Sequence, residues 1–221
     1  LRSMQSLITI PPPDSLTAID MGMGYGGMHE GMSRVFHQVV GVDKRRQYKG
    51  KKEGWTAVDL RMDFARGAMD ILPEIRAKAR MKQDEGAHMH WSISCAQESK
   101  TQELEKAQGR AKGTYAPKGR DDAQKKAIQT MLTTTAEHKN NPGFTYTVEQ
   151  PEGSALAKDP EVVRILGKPT LVKQCCYGYL HCKPTLIWTN LTPEEWTPRT
   201  CAKGRAASAA TRRPTCSAPT C

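Results

Sequence analysis

Apolar positions along this chain follow two rhythms, and the switch between them marks out a series of strands and helices. Short apolar or alternating runs of strand length occupy residues 16–20, 38–43, 55–60, 88–94 and 144–150. Stretches with apolar residues three and four apart lie between or after them, over 28–37, 66–83 and 121–138, with a short one at 160–167. Periods of 2 and 3.6 residues belong to strands and helices respectively. The second helix carries Ala68, Ile71, Leu72, Ile75 and Ala79 on one face, with Pro73 as an irregularity. The third carries Ala123, Ala127, Ile128, Met131, Leu132 and Thr135. Two later runs, PTLVKQCCYG and PTLIWTNL, read as a further, antiparallel pair at the sheet edge. Strands alternating with helices predict an α/β domain with a mostly parallel sheet flanked by helices.

The same pattern divides the chain. Residues 1–15 read as a lead-in containing three consecutive prolines, and 16–198 as the folded domain. Within it, about 97–120 is polar, basic and broken by glycine and proline, the composition of a mobile loop. Residues 199–221 hold almost no large apolar side chain and are expected to be disordered. The chain does not begin with Met, which suggests a domain excised from a longer parent polypeptide. No apolar run approaches the roughly 20 residues that a membrane-spanning helix needs, so no membrane partner is expected.

The segment AIDMGMGYGGMHEGMSRVFHQVVGVD, residues 18–43, concentrates the chemistry. A strand ends in Asp20, glycines follow at Gly22, Gly24, Gly26 and Gly27, a helix comes next, and a second strand ends in Asp43. Strand, glycine turn, helix, strand and acid form the Rossmann-like arrangement that holds an adenosine-containing cofactor. An acid at the tip of the second strand can accept hydrogen bonds from both ribose hydroxyls. Asp20 helps to choose between cofactors. A dinucleotide sets its pyrophosphate on the helix N-terminus, where a carboxylate would repel it. S-adenosylmethionine has no phosphate and carries a sulfonium and an amino group, so Asp20 suits it better than NAD.

Charge points to the partner. The net charge is +10, spread over 44–52, 76–82, the 100–126 region and the tail, and nucleic acid is the first candidate for such an excess. Aromatics are only 6% of residues, which argues against a single-strand binder built on stacking. The seven cysteines are an odd number in a chain whose N-terminus lacks a secretory pattern, so reduced thiols and an intracellular setting are expected, nuclear in a eukaryotic host. Cys175, Cys176 and Cys182 with His181 form the one grouping with metal-ligand chemistry. Adjacent cysteines fit one zinc poorly and no CxxC occurs, so no metal is assigned.

Asp20, Asp43, Asp59, Cys95 and Glu149 all fall at predicted strand ends. Ligands of open α/β sheets gather beyond the carboxyl ends of the strands. A thiol and a carboxyl group facing one pocket can add to a ring and protonate it.

These residues carry a resemblance. DMGMGYGG with Asp43, VDL with Asp59, SISCAQES with Cys95 and VEQPEGS with Glu149 occur in the order of the DNA cytosine-5 methyltransferase motifs. CCYGYLHCKPTLIWTN is similar to a segment of divergent phage and mobile-element forms. The resemblance spans roughly 16–198. It implies the class I S-adenosylmethionine-dependent methyltransferase fold. It implies cofactor contacts from Asp20, Gly22, Gly24, Gly26, Asp43, Asp59 and Asn190, with Cys95 as nucleophile and Glu149 at the cytosine N3 edge. Ser99, Arg110 and Arg120 would contact DNA. Two positions depart: Ser94 stands where the family has proline, and Gln150 where it has asparagine. No large recognition domain follows, which implies a separate one supplied by another chain or by the parent polypeptide. A methyltransferase of the same fold acting on RNA or another substrate, and a catalytically silent nucleic-acid-binding module, remain as alternatives.

Overall fold

The computed structural model describes residues 17–22, 27–44, 60–81, 86–93, 122–141, 143–177 and 183–199. Seven strands form one sheet: β1 (Thr17–Met21), β2 (Gln38–Asp43), β3 (Leu60–Arg61), β4 (Ala87–Trp91), β5 (Thr145–Pro151), β6 (Thr170–Lys173) and β7 (Pro184–Thr189). Their order across the sheet is β3-β2-β1-β4-β5-β7-β6. The pairs β1–β2, β1–β4, β2–β3 and β4–β5 are parallel, while β7 runs antiparallel to both β5 and β6. The architecture is therefore α/β, with a mostly parallel sheet flanked by helices, and it is compatible with a Rossmann-like fold. Among the described residues no helix is long and apolar enough to cross a membrane.

The helices are α1 (Gly27–Met32), α2 (Ala68–Ala79), α3 (Asp122–His138) and α4 (Pro160–Leu166). Helix α2 buries Ile71, Leu72, Ile75 and Ala79, while Pro73 sits on its exposed side. It stops where Arg80 turns left-handed, at φ 53°, and where Met81 N–H bonds back to the Arg76 carbonyl. Helix α3 buries Ile128, Met131, Leu132 and Thr135 of the expected stripe, together with Thr130 and Thr134, while Ala127 is half-buried and Ala123 exposed. Helix α4 starts with Asp159 accepting from Glu161 N–H and with Pro160 in the first turn.

Alternation along the strands separates the sheet's two faces. One face carries Ile19, Met21, Val40, Val42, Met89, Trp91, Val148 and Trp188, which pack with α2, α3 and α4 into the main core. On the other face Ala18 packs with Met32 and Phe36 at α1, and Val172, Tyr177, Leu191 and Trp196 cluster at the β6–β7 edge. Between these two small clusters lies a polar strip.

Two differences from the sequence reading have local causes. The first helix ends at Met32, five residues early, because the chain turns through Ser33–Val35 to deliver β2. Of the third strand read over 55–60, residues 55–59 lie outside the described residues, and β3 is Leu60–Arg61. Single helical turns appear at Phe64–Arg66, Ala155–Lys158 and Gln174–Tyr177, too short to leave a periodic signal.

Candidate functional site

The carboxyl ends of β1, β2, β4 and β5 share one edge of the sheet, and β7 begins there. Register fixes what stands on that edge. Asp20 lies level with Gly41 and His90, and His90 with Thr147. Two residues further along, Asp43 closes β2 and Glu149 approaches the end of β5, on the same face as Asp20.

Asp20 is fully buried, and neither carboxylate oxygen meets a hydrogen-bond partner among the described residues. Burial pushes its carboxyl up to about 7. The nearby His29 backbone N–H opposes that rise, and the charges of Asp43 and Glu149 add to it. A buried unpaired acid is costly, and such groups concentrate at functional sites. Here the oxygens suit a cationic or N–H-bearing ligand.

Gly22 forms the first corner of the glycine turn with φ 86°, a conformation that favours glycine. Its N–H bonds to the Val42 carbonyl at 2.8 Å, and Ser92 N–H bonds to the Met21 carbonyl at 2.8 Å. A Cβ at this position would lie 2.4 Å from the Ser92 carbonyl oxygen. The close approach of β1 to the exit of β4 therefore demands this glycine, independently of any ligand.

Glu149 is about one-fifth exposed and accepts from Lys183 Nζ at 3.2 Å. Lys183 immediately precedes β7, so the reversed strand delivers a cation to the edge where β5 delivers an acid. Gln150, on the opposite face, is buried and donates through Nε2 to the Ile93 carbonyl at 2.9 Å.

The structure does not bring Asn190 to this edge, and its assignment to the cofactor is corrected. Its Oδ1 accepts from Tyr146 N–H at 2.8 Å and its Nδ2 donates to the Phe144 carbonyl at 2.9 Å. Strand β7 runs backwards, so its end carries Asn190 toward the amino end of β5, away from Glu149. There it completes the backbone pairing of β5. The expected reduced state of the thiols also changes: Cys175 and Cys176 are both disulfide-bonded. Gly24, Gly26, Asp59, Cys95, Ser99, Arg110 and Arg120 lie outside the described residues.

A polar ladder escaped the sequence reading. His88 Nδ1 pairs with Thr145 Oγ1 at 2.9 Å and its Nε2 with Thr147 Oγ1 at 3.2 Å. His90 Nδ1 pairs with the same Thr147 hydroxyl at 2.8 Å, and its Nε2 with Ser92 Oγ at 2.8 Å. Burial depresses both imidazoles, His88 to about 3, helped by His90, and His90 to about 4. Both are neutral, with each ring nitrogen engaged. The alternation HMHWS was the available signal, but the threonine partners lie on a strand 57 residues away. Phe36 stacks on His88 with ring centroids 5.3 Å apart. Beside the ladder, Met28, Met32, Val35, Ile187, Leu191 and Trp196 wall a cavity of about 50 Å³ floored by His88, His90 and Thr147.

No family model matches the chain, and no curated protein matches it.

Proposed function

We propose that this domain transfers a methyl group from S-adenosylmethionine to C5 of cytosine in DNA. The observation that carries the reading is the placement of β4 between β1 and β5. Strand β1 ends in the buried acid and the glycine corner, β5 ends in Glu149, and the chain leaves β4 through Ile93 toward Cys95. A covalent methylation needs those three groups around one base: a site for the donor, a nucleophile and an acid. The dinucleotide-binding order 3-2-1-4-5-6 lacks the reversed strand that here separates β5 from β6. That departure and the buried Asp20 carboxyl, which faces no cationic side chain in the contacts of the described residues, favour a sulfonium cofactor over NAD.

The residues present fit such a cofactor. Asp20 offers two buried oxygens to its amino group, Gly22 opens the turn, and Asp43 stands at the tip of β2 for the ribose. When bound, the cofactor supplies an electrophilic methyl group on a cationic sulfur. The chain's own groups do the rest. The Cys95 thiolate adds to C6 of a cytosine taken out of the stack. Glu149, once it has left Lys183 and taken up a proton, gives that proton to N3, so the electron pair displaced from the ring collects as an enamine with nucleophilic C5. After methylation, water takes the C5 proton, the thiolate leaves C6, and N3 returns its proton to Glu149, which restores the aromatic ring. Lys183 pairs with Glu149 at the edge. Arg110 and Arg120 are proposed to contact phosphates, which makes affinity strongly salt-dependent.

The test is trapping on DNA that contains 5-fluorocytosine, with S-adenosylmethionine present. Fluorine cannot leave as a proton does, so the adduct accumulates. A covalent complex is expected with the native chain and none with Cys95→Ala, whose cofactor affinity should be unchanged. A Cys95→Ala chain that still methylates DNA would remove the thiol from the mechanism.

A further inference from the structure

We infer that Gln150 is a positioning residue for the segment that carries Cys95, acting by fixing the exit of β4 from the core side. The inference rests on the reading of Cys95 as nucleophile.

Gln150 is only 2% exposed, and its amide is used at both ends. Nε2 donates to the Ile93 carbonyl at 2.9 Å, and Oε1 accepts from Ser154 Oγ at 3.3 Å. Ser154 is itself buried, and its hydroxyl oxygen accepts from Leu156 N–H at 3.2 Å. The turn after β5 therefore anchors an amide that reaches across to β4.

What it grips is specific. The β4–β5 ladder ends at the pair Trp91–Val148, so Ile93 lies beyond regular strand pairing. From the other face, Ser92 is held by Met21 through its N–H and by His90 through its hydroxyl. Gln150 extends that hold one residue further, to Ile93, two residues before Cys95. A side chain needed only to fill space here would be apolar, because a buried amide is tolerated only when both ends are paired. The residue between is Ser94. A proline at 94 would confine Ile93 to extended conformations by its ring alone. Gln150 supplies a comparable restraint on Ile93 through a hydrogen bond.

The experiment compares the full native chain with Gln150→Met, similar in length but unable to hydrogen-bond, and with the double variant Gln150→Met/Ser94→Pro. Ser154→Ala, which loosens the amide without removing it, serves as the milder variant. Four quantities are read: folded fraction, S-adenosylmethionine affinity, kcat and KM for DNA, and the pH profile of Cys95 alkylation by iodoacetamide. The expected result for Gln150→Met is unchanged cofactor affinity and KM, a kcat at least tenfold lower, and a shifted alkylation profile. Ser94→Pro should recover most of the kcat, and Ser154→Ala should lose two- to fivefold. A folded Gln150→Met chain with native kcat overturns the inference, as does a kcat loss that only tracks the folded fraction. If Gln150→Met does not fold, native kcat in Ser154→Ala overturns it. If the native chain neither methylates nor traps DNA, the proposed function fails separately. Alkylation then decides alone: identical Cys95 profiles with and without the Gln150 amide overturn the inference, and a shifted one supports it.

Discussion

On one face of the sheet, Ile19, Met21, Val42, Trp91 and Trp188 meet three helices in a continuous apolar core. On the other, the same strands present Asp20, His88, His90, Ser92, Thr147 and Glu149 beneath a single short helix. The two sets differ by one step along each strand. A slip of one residue would carry the acids and imidazoles into the core and the apolar set out of it, so the register is strongly specified. Stability and chemistry are thereby encoded in alternate positions of the same few residues. On the polar face every hydrogen-bonding atom of the two imidazoles is matched, whereas Asp20 is left unpartnered among the described residues. A matched polar strip stiffens the strands, and an unmatched acid costs folding energy that a ligand can recover.

The largest effect should come from breaking the apolar side. Trp188 is 1% exposed, packs in the main core, and donates through its indole N–H to the Gly167 carbonyl at 3.1 Å. Trp188→Ala should cost roughly 3–5 kcal/mol, the range for emptying a buried aromatic site. Denaturant unfolding measures this. A loss under about 1 kcal/mol would mean that the main core does not depend on β7.

Protons sharpen the comparison, because the polar face contains opposed titrations. The folded pKa of Asp20 is raised from 3.8 to about 7, so between pH 4 and 6.5 the folded state holds one proton that the unfolded chain lacks. His88 and His90 are depressed from 6.5 to about 3 and about 4, so near pH 5, inside that window, the unfolded chain holds two protons that the folded state lacks. The Asp20 contribution favours folding at low pH and is lost as pH rises through about 7. The histidine contributions are present above pH 6.5 and are lost as pH falls through the folded values. Together these three groups leave a net of one proton on the unfolded side. The contribution of these three groups to stability should therefore rise with pH near pH 5, on the order of 1 kcal/mol per unit. Asp20→Asn removes the opposing proton and should roughly double that slope, while abolishing cofactor binding. Chemical denaturation at several pH values reads both slopes. An unchanged slope in Asp20→Asn would show that Asp20 is ionised in the folded chain.

Much of this arrangement could be read from the residues, and the rest failed for identifiable reasons. Strands β1, β2, β4 and β5 and helices α2 and α3 follow from local periodicity, because each buries a stripe or a face. The antiparallel pairing of β6 with β7 was also visible as two short runs at the end of the domain. Strand-end acids reach the sheet edge because a parallel sheet aligns its carboxyl ends, a consequence of topology that local sequence carries. Asn190 misled because β7 is reversed, and reversal moves the end of a strand to the opposite edge. The second demand on Gly22, the neighbouring Ser92 carbonyl that forbids a side chain there, left no local signal. The histidine ladder and the Gln150 bridge depend on partners 57 residues apart, and no local pattern reports such pairs.

The smallest expected effect lies where the two regions meet solvent. Lys183 reaches Glu149 at 3.2 Å, but its side chain is more than half exposed. Exposed ion pairs contribute 0–1 kcal/mol and fade with salt. Lys183→Ala should therefore shift unfolding stability by less than about 1 kcal/mol. Its effect on the proposed chemistry should be larger, because Glu149 loses the cation that fixes its carboxylate at the edge. The expected signature is a fall in kcat with little change in stability, the reverse of Trp188→Ala. Equal losses of stability and activity in both variants would erase the division between the two faces, since the polar edge would then be one more part of the core.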